Sequence, residues 1–371
     1  MKSILDKYAD LLVHYCLELK EGDRLLVRST TLAEPLLRAL SKSVLRAGAV
    51  MDTHIMFREE KRILLTEGSD FALSYVSPLL EKAYLEYEAF LAIRAPYNLS
   101  EDQNVDQERV RKHQAAFEDL AKVYSQRTST RDLRRSLCQY PTIATAQFAG
   151  MSLEEYEHFV YSACKLFDDD PIASWKEVGN KQQVVVDALN ARDRIHYVGE
   201  NIDIQFSTKG RTWINSDGKT NMPSGEVYTS PVEDSVNGHI HFSLPGVFRG
   251  HEVEGVTLWV KDGWIERWDA RKGKAFLDDI FKIEGSRRFG EAAIGTNYDI
   301  QQLTKNILFD EKIGGTVHMA IGQSYLQAGG KNTSAVHWDM ITDMTNGGAI
   351  FADGEKIYEN GHFLPVVVEN F

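Results

Sequence analysis

The chain has 371 residues, 43% of them hydrophobic and 26% charged, with a formal net charge of −12. That length supports two domains, or one large one, with substantial cores, and the composition is that of a globular protein. An acidic chain without a large Lys/Arg run is a poor partner for nucleic acid or anionic membranes, and no apolar run reaches membrane-spanning length.

The N-terminus carries acidic residues in a helical pattern, without a signal peptide's apolar core. Leu25, Leu26 and Val27 mark a buried strand over 23–29, followed by an amphipathic helix through Leu36, Leu37, Leu40, Val44 and Leu45 that Gly48 stops. Strands are expected over 50–56 and 89–95, with a helix over 79–87 between them. Residues 107–125 read as one long helix, and the arginines of 131–135 as the exposed side of a helix. Ser152 with Glu155 forms a capping box for a helix running through Tyr156, Phe159 and Leu166. This alternation predicts an α/β domain with a doubly wound, mainly parallel sheet over residues 1–185. It has no Gly-x-Gly-x-x-Gly turn and no Walker sequence, so nothing supports nucleotide binding. Cys16, Cys138 and Cys164 are scattered and lack metal-ligand spacing, which predicts buried, unbridged thiols in a reducing cytoplasm.

The acidic run Asp168-Asp169-Asp170-Pro171 is expected to end a helix and open the connection between halves. Over 186–371 the texture becomes that of a β-rich α+β domain. Ile202-Asp203-Ile204-Gln205-Phe206 alternates with period two, and Asp262-Gly263 and Asn360-Gly361 have the composition of hairpin turns. Residues 255–268, with Trp259, Trp264 and Trp268, read as one hairpin, and a helix is expected near 275–283.

Chemistry-bearing residues concentrate in this second half. In Ala335-Val336-His337-Trp338-Asp339-Met340-Ile341, read as a strand, Val336, Trp338 and Met340 share one face, while His337 and Asp339 share the other. Two residues of strand rise put that imidazole and carboxylate ~7 Å apart, within reach of one metal ion or flanking two. Upstream, His318 opposes Val317, Met319 and Ile321, with Tyr325 just beyond. Glu291 sits among small and apolar neighbours, and Glu226 directly follows the turn at Pro223-Ser224-Gly225. Carboxylates in such surroundings must be exposed, hydrogen-bonded or metal-bound. Two glutamates, two histidines and one aspartate suit a pair of divalent cations bound through oxygen and nitrogen.

The segments Asn221-Met222-Pro223-Ser224-Gly225-Glu226-Val227, Gly290-Glu291 with Gly295-Thr296-Asn297, Asp310-Glu311-Lys312-Ile313-Gly314-Gly315-Thr316-Val317-His318 and His337-Trp338-Asp339 make the resemblance specific. They resemble the metallopeptidase family that includes aminopeptidase T, aminopeptidase S and PepS, and the similarity extends through most of the chain. The resemblance implies Glu226, Glu291, His318, His337 and Asp339 as ligands of two divalent ions (zinc, cobalt or manganese) and Tyr325 as the catalytic tyrosine. It further implies a homodimer acting on peptides with a free N-terminus; the chain is read as cytoplasmic, and by residue type Glu226 or Glu291 is the candidate to accept the attacking water's proton. One departure is the segment between Tyr325 and His337, which is short beside well-known members and bears on pocket shape.

Competing assignments are specific. His239-Ile240-His241 also places two imidazoles on one strand face, but no Asp or Glu follows nearby, and a solvated hairpin face explains it. Glu311, seven positions before His318, is left outside the ligand set as a turn residue. Tyr325 by composition alone is an ordinary core aromatic, and His14, His113, His158 and His362 sit in helical or turn contexts. His318, His337 and Asp339 also form a 2-His-1-carboxylate set, the combination of a mononuclear iron ring-cleaving dioxygenase. A metal-free scaffold is the third alternative.

Overall fold

The computed structural model describes residues 2–368. It contains two compact units: one comprises the residues up to Ile172 together with Gly218–Pro223, the other Ala173–Asp217 together with the residues from Ser224 onward.

The first unit is built on a five-stranded parallel sheet in the order Val50–Met56, Arg24–Thr30, Ala89–Arg94, Arg134–Gln139, Asn221–Met222. Its order reverses after the first strand pair, the doubly wound pattern expected from the alternating sequence. Leu25 and Val27 are fully buried, as are Leu36, Leu40 and Val44 of the helix Glu34–Arg46. The capping box at Ser152 and Glu155 is present. Cys16, Cys138 and Cys164 are buried and form no disulfide among the described residues.

Two expectations fail here. The helix over 107–125 is two helices, Gln107–Ala116 and Glu118–Ser129, separated at Phe117, where ψ rises to 0°. Phe117 packs edge-on against His113, with ring centroids 5.1 Å apart, and joins the apolar cluster around Phe90 and Leu120, so tertiary packing overrides the local helical signal. The arginine cluster is not a helix face either: Arg134 and Arg135 begin a sheet strand. Arg134 is largely buried, donating to Asp23 at 2.7 Å and to the Glu18 carbonyl at 2.6 Å. A partnered arginine reads like a solvated one in sequence.

Beyond the acidic run, Pro171 opens a 20-residue helix, Pro171–Asn190, within which the expected division at residue 185 falls. Proline suits a first helical position, but the β-branched run Val184-Val185-Val186 obscures the helix in sequence.

The second unit contains an eight-stranded antiparallel sheet, a five-stranded antiparallel sheet and a short ribbon of Gly246–Phe248 with His251–Val253. Apolar faces of the two larger sheets meet in one core that includes Tyr197, Phe206, Ile240, Met319 and Trp338. Both expected hairpin turns are present. Asp262 and Gly263 have φ of 47° and 75°, and Asn360 and Gly361 have 49° and 86°, the positive pair a type I′ turn needs. A Cβ on Gly263 would lie 1.7 Å from the Glu233 carbonyl oxygen, whereas one on Gly347, at φ +73°, would meet nothing within 4 Å. Gly347→Ala should therefore cost ~1 kcal/mol in urea denaturation, and Gly263→Ala at least ~3 kcal/mol because the Glu233 loop must move as well. Equal losses would mean that the turn, rather than the contact, sets the cost.

Candidate metal centre

The five-stranded sheet runs in the order His337–Asp343, Thr316–Gly322, Phe289–Gly295, Glu226–Thr229, Ile214–Ser216. Directly opposed residues point to the same side of a sheet. Glu291 opposes Ala320, which opposes Asp339; Gly322 opposes His337; Ala293 opposes His318; Gly295 opposes Glu226. All five sequence-predicted ligands therefore share one face. The small residues Ala293, Gly295, Ala320 and Gly322 lie between them and leave room for the longer side chains to converge. On the opposite face Val227, Ile294, Val317, Met319, Trp338 and Met340 enter the core.

Glu291 reaches this face through a bulge. Phe289 pairs with Ile321, yet Glu291 pairs with Ala320, so Gly290 is the extra residue. Without it Glu291 would share the core face with Phe289. A Cβ on Gly290 would lie 2.2 Å from the Gln323 carbonyl oxygen, so the bulge admits only glycine.

The side chains form a continuous chain of contacts. His318 Nε2 lies 3.4 Å from Glu226 Oε2 and 3.7 Å from Glu291 Oε1; His337 Nε2 lies 3.1 Å from Glu291 Oε2 and 3.6 Å from Asp339 Oδ1. Two ligand groups result, Glu226 with Glu291 and His318, and Glu291 with His337 and Asp339, each with its ligand atoms within 4.8 Å of one another. Glu291 belongs to both. His337 Nδ1 bonds the Gln323 carbonyl at 2.8 Å, which fixes the ring and leaves Nε2 toward the carboxylates.

Lys312, fully buried, pairs with Glu311 and lies 3.6 Å from Glu226 Oε1. Glu311 thus belongs to the charge cluster rather than only to the turn. Four carboxylates face one ammonium, an excess of three negative charges once both imidazoles are neutral, the form that binds metal. Burial lowers both imidazoles, but the carboxylates beside them outweigh it and push His318 up to about 9 and His337 up to about 10. Burial pushes the carboxyls of Glu226 and Asp339 up to about 7, with Lys312 opposing the rise at Glu226 and His337 at Asp339. Burial acts on Glu291 in the same sense, but His318 and His337 beside it outweigh that and hold it at about 2. Glu226 Oε2, His318 Nδ1, His337 Nε2 and Asp339 Oδ1 are buried without a hydrogen-bond partner. Mixed oxygen and nitrogen donors, an excess of negative charge and unsatisfied ligand atoms are what a divalent-cation site requires, so the residues present fit a metal.

Tyr325 adjoins this cluster, with its ring centroid 5.0 Å from that of His337 and 5.1 Å from that of Tyr228. The charge of Glu291 and burial push its phenol well above the usual value, so the hydroxyl remains a donor. His239 and His241 lie in the other large sheet, where His241 Nδ1 pairs with Thr257 Oγ1 at 2.8 Å.

A match to the family model described as thermophilic metalloprotease (M29) covers residues 1–363. The chain belongs to the M29 metalloprotease family. Membership makes it a metallopeptidase, a hydrolase of peptide bonds. It is 28% identical to aminopeptidase 2 of Geobacillus stearothermophilus, with 97% of each chain covered. It is 26% identical to aminopeptidase T of Thermus thermophilus, covering 99% of this chain and 97% of that one. Aminopeptidase AmpS of Bacillus subtilis is 27% identical, over 97% and 98% of the two chains. The fold is that of the solved structure of AmpT from Thermus thermophilus, at a TM-score of 0.82 and 24% identity over 97% of this chain and 99% of that one. It is also similar, more distantly, to a 2,5-dihydroxypyridine dioxygenase from Pseudomonas putida, at a TM-score of 0.61 and 14% identity over 98% of each chain.

Sequence reasoning missed two residues beside the site. In sequence Lys312 is one residue of the segment Asp310–His318 with nothing to mark it as buried. Gln182, on the helix Pro171–Asn190, is fully buried and donates to Asn215 Oδ1 at 2.6 Å and to the Ser216 and Glu226 carbonyls at 3.1 Å. Its own Oε1 accepts from Thr296 Oγ1 at 2.8 Å. It thereby ties the strand carrying Glu226 to the end of the strand carrying Glu291. Gln182→Leu should lower the stability of the folded chain by ~2–4 kcal/mol, since two buried groups, Thr296 Oγ1 and the Glu226 carbonyl, would lose this partner. A loss under ~1 kcal/mol in denaturant titration would show that these partners find other bonds.

Proposed function

We propose that the chain releases N-terminal amino acids from peptides, using two divalent ions held by Glu226, Glu291, His318, His337 and Asp339. The observation that carries this is the pair of ligand groups sharing Glu291 on a face with an excess of three negative charges. Zinc, cobalt and manganese all suit the donor set. Ions in these positions would polarise the scissile carbonyl and acidify the attacking water. Glu226 and Glu291 are the carboxylates able to take that water's proton. Tyr325 donates its O–H to the developing oxyanion, a contribution of about 3 kcal/mol in comparable sites. The free α-amine of a substrate could bind one of the two ions, the mark of an aminopeptidase over an endopeptidase.

The dioxygenase alternative has less support. It needs His318, His337 and Asp339 around one ion, yet His318 groups with the two glutamates and His337 with Asp339. One dication would also leave negative charge uncompensated. A metal-free scaffold would leave three buried ligand atoms, Glu226 Oε2, His337 Nε2 and Asp339 Oδ1, unsatisfied.

The proposal extends to a cytoplasmic homodimer, in keeping with the family resemblance and with three buried thiols. No helix among the described residues is long and apolar enough to cross a membrane. Light scattering at micromolar concentration should give twice the 42.0 kDa chain mass. A 42.0 kDa particle would reject the dimer.

Metal analysis run beside hydrolysis of aminoacyl chromogenic substrates tests the mechanism. About two equivalents of metal per chain are expected. Glu291→Gln should lower metal occupancy and reduce kcat/KM at least ~100-fold, about 2.7 kcal/mol of transition-state stabilisation. A mononuclear oxygenase would lose little by that change. Tyr325→Phe should keep the metal and reduce kcat. Normal peptide turnover with both substitutions in place would reject the mechanism.

A further inference from the structure

We propose that an apolar cavity beside the strand His337–Asp343 receives the side chain of the substrate's N-terminal residue and selects uncharged, medium-sized apolar ones. This rests on the peptide-hydrolysing function proposed above. The cavity is about 140 Å³, and His337 and Asp339 form part of its lining. It therefore adjoins the place where the first peptide bond of a substrate would be cleaved. Its remaining walls include Val247 and Phe248 from the ribbon, Trp338 and Ile341 from the edge strand, Ile307 from the short helix Ile307–Asp310, and Phe242 and Val256 from the larger sheet.

Shape and chemistry limit what enters. Apolar cavities of ~150 Å³ accept a group the size of benzene, so a Leu, Met or Phe side chain matches this volume and a Trp exceeds it. Phe248 stacks on Trp338 with centroids 5.1 Å apart and planes inclined by 10°, which makes that wall stiff. Apart from the ligands His337 and Asp339, which the cluster engages, two charged residues line the cavity, and both are already paired. Lys305 Nζ pairs with Glu252 Oε1 at 2.8 Å, and Asp310 Oδ1 accepts from Thr304 N and Oγ1 at 2.9 Å each. A substrate Lys, Arg, Asp or Glu side chain would enter without a counter-charge, at the cost of its hydration. An Ala side chain would enter but leave most of the apolar wall uncovered.

The test compares 4-nitroanilides of Leu, Met, Phe, Ala, Glu and Lys on the metal-loaded enzyme. The expected kcat/KM for Leu exceeds that for Ala at least ~10-fold and those for Glu and Lys at least ~100-fold. Val247→Phe, which fills the cavity, should lower the Leu-to-Ala ratio at least ~10-fold with metal content unchanged. Ile307→Asp, at a position 38% exposed, serves if that variant fails to fold and should shift the preference from Leu toward Lys. Calorimetric titration with L-leucine and L-glutamate supplies a readout independent of turnover: leucine should bind the wild type, glutamate should not, and the cavity variant should lose leucine. Equal turnover of Leu, Glu and Lys, or leucine binding untouched by the cavity variants, would overturn the proposal. If no aminoacyl substrate is cleaved, the hydrolase function falls, while leucine binding still decides the cavity.

Discussion

The structure of the second unit depends on an electrostatic constraint: three carboxylates, each less than a tenth exposed, and a fourth at the edge share one sheet face with a single buried ammonium. Two like charges 4 Å apart repel by ~4 kcal/mol at an effective dielectric constant of 20, and a whole domain is stable by only ~5–15 kcal/mol. Three uncompensated charges would consume that margin. Lys312 removes one. The imidazoles, which burial lowers but the carboxylates beside them push up to about 9 at His318 and about 10 at His337, remove two more only as imidazolium, a form that cannot bind a metal. Divalent cations meet the demand where protons do so only by neutralising the very groups that serve as ligands, which is why Glu226 and Asp339 are pushed up to about 7 while Glu291, flanked by both histidines, stays low.

The sheet meets this constraint through register. Period-two alternation sends Val317, Met319, Trp338 and Met340 to the core and His318, His337 and Asp339 to the other face, so a packed core and a charged site share the same strands. A one-residue slip of the edge strand would bury Asp339 in the core and expel Trp338, two errors that oppose slippage together. The bulge at Gly290 breaks the alternation in this sheet, and it lets Phe289 and Glu291 occupy opposite faces although they are two residues apart.

How much of this the sequence reveals follows from the range of each signal. The edge strand's polar pair, the His318 strand and both positive-φ hairpin turns are local patterns, and each was legible. The parallel sheet followed from alternation of strands and helices, a pattern that survives errors at individual boundaries. Phe117, Arg134 and Gln182 were misread or missed because what fixes them is a partner far away in sequence: the Phe90 cluster, Asp23, and the ends of two site strands. Glu291's facing was likewise hidden, since only the pairing with Ala320 reveals the bulge. Lys312 was invisible for a different reason. A lysine beside a glutamate near a Gly-Gly turn is ordinary surface composition, and only complete burial identifies it as a counter-charge.

The edge strand also explains why chemistry and selectivity can be tuned separately at so short a range. His337 and Asp339 present donors to the ligand cluster, while Trp338, between them in sequence, faces the opposite way and carries the stacked Phe248. Because the strand lies at the end of its sheet, its far side is walled by a separate element, the ribbon of Gly246–Phe248 and His251–Val253, rather than by another site strand. Substitutions in that ribbon alter the cavity without touching a ligand. Substitutions in the His318 or Glu291 strands alter the charge balance without reshaping the cavity. The two tasks meet only at His337 and Asp339, whose side chains belong to the ligand cluster and whose residues line the cavity. Their strand position, and hence the register that fixes it, couples the choice of substrate to the bond that is cut.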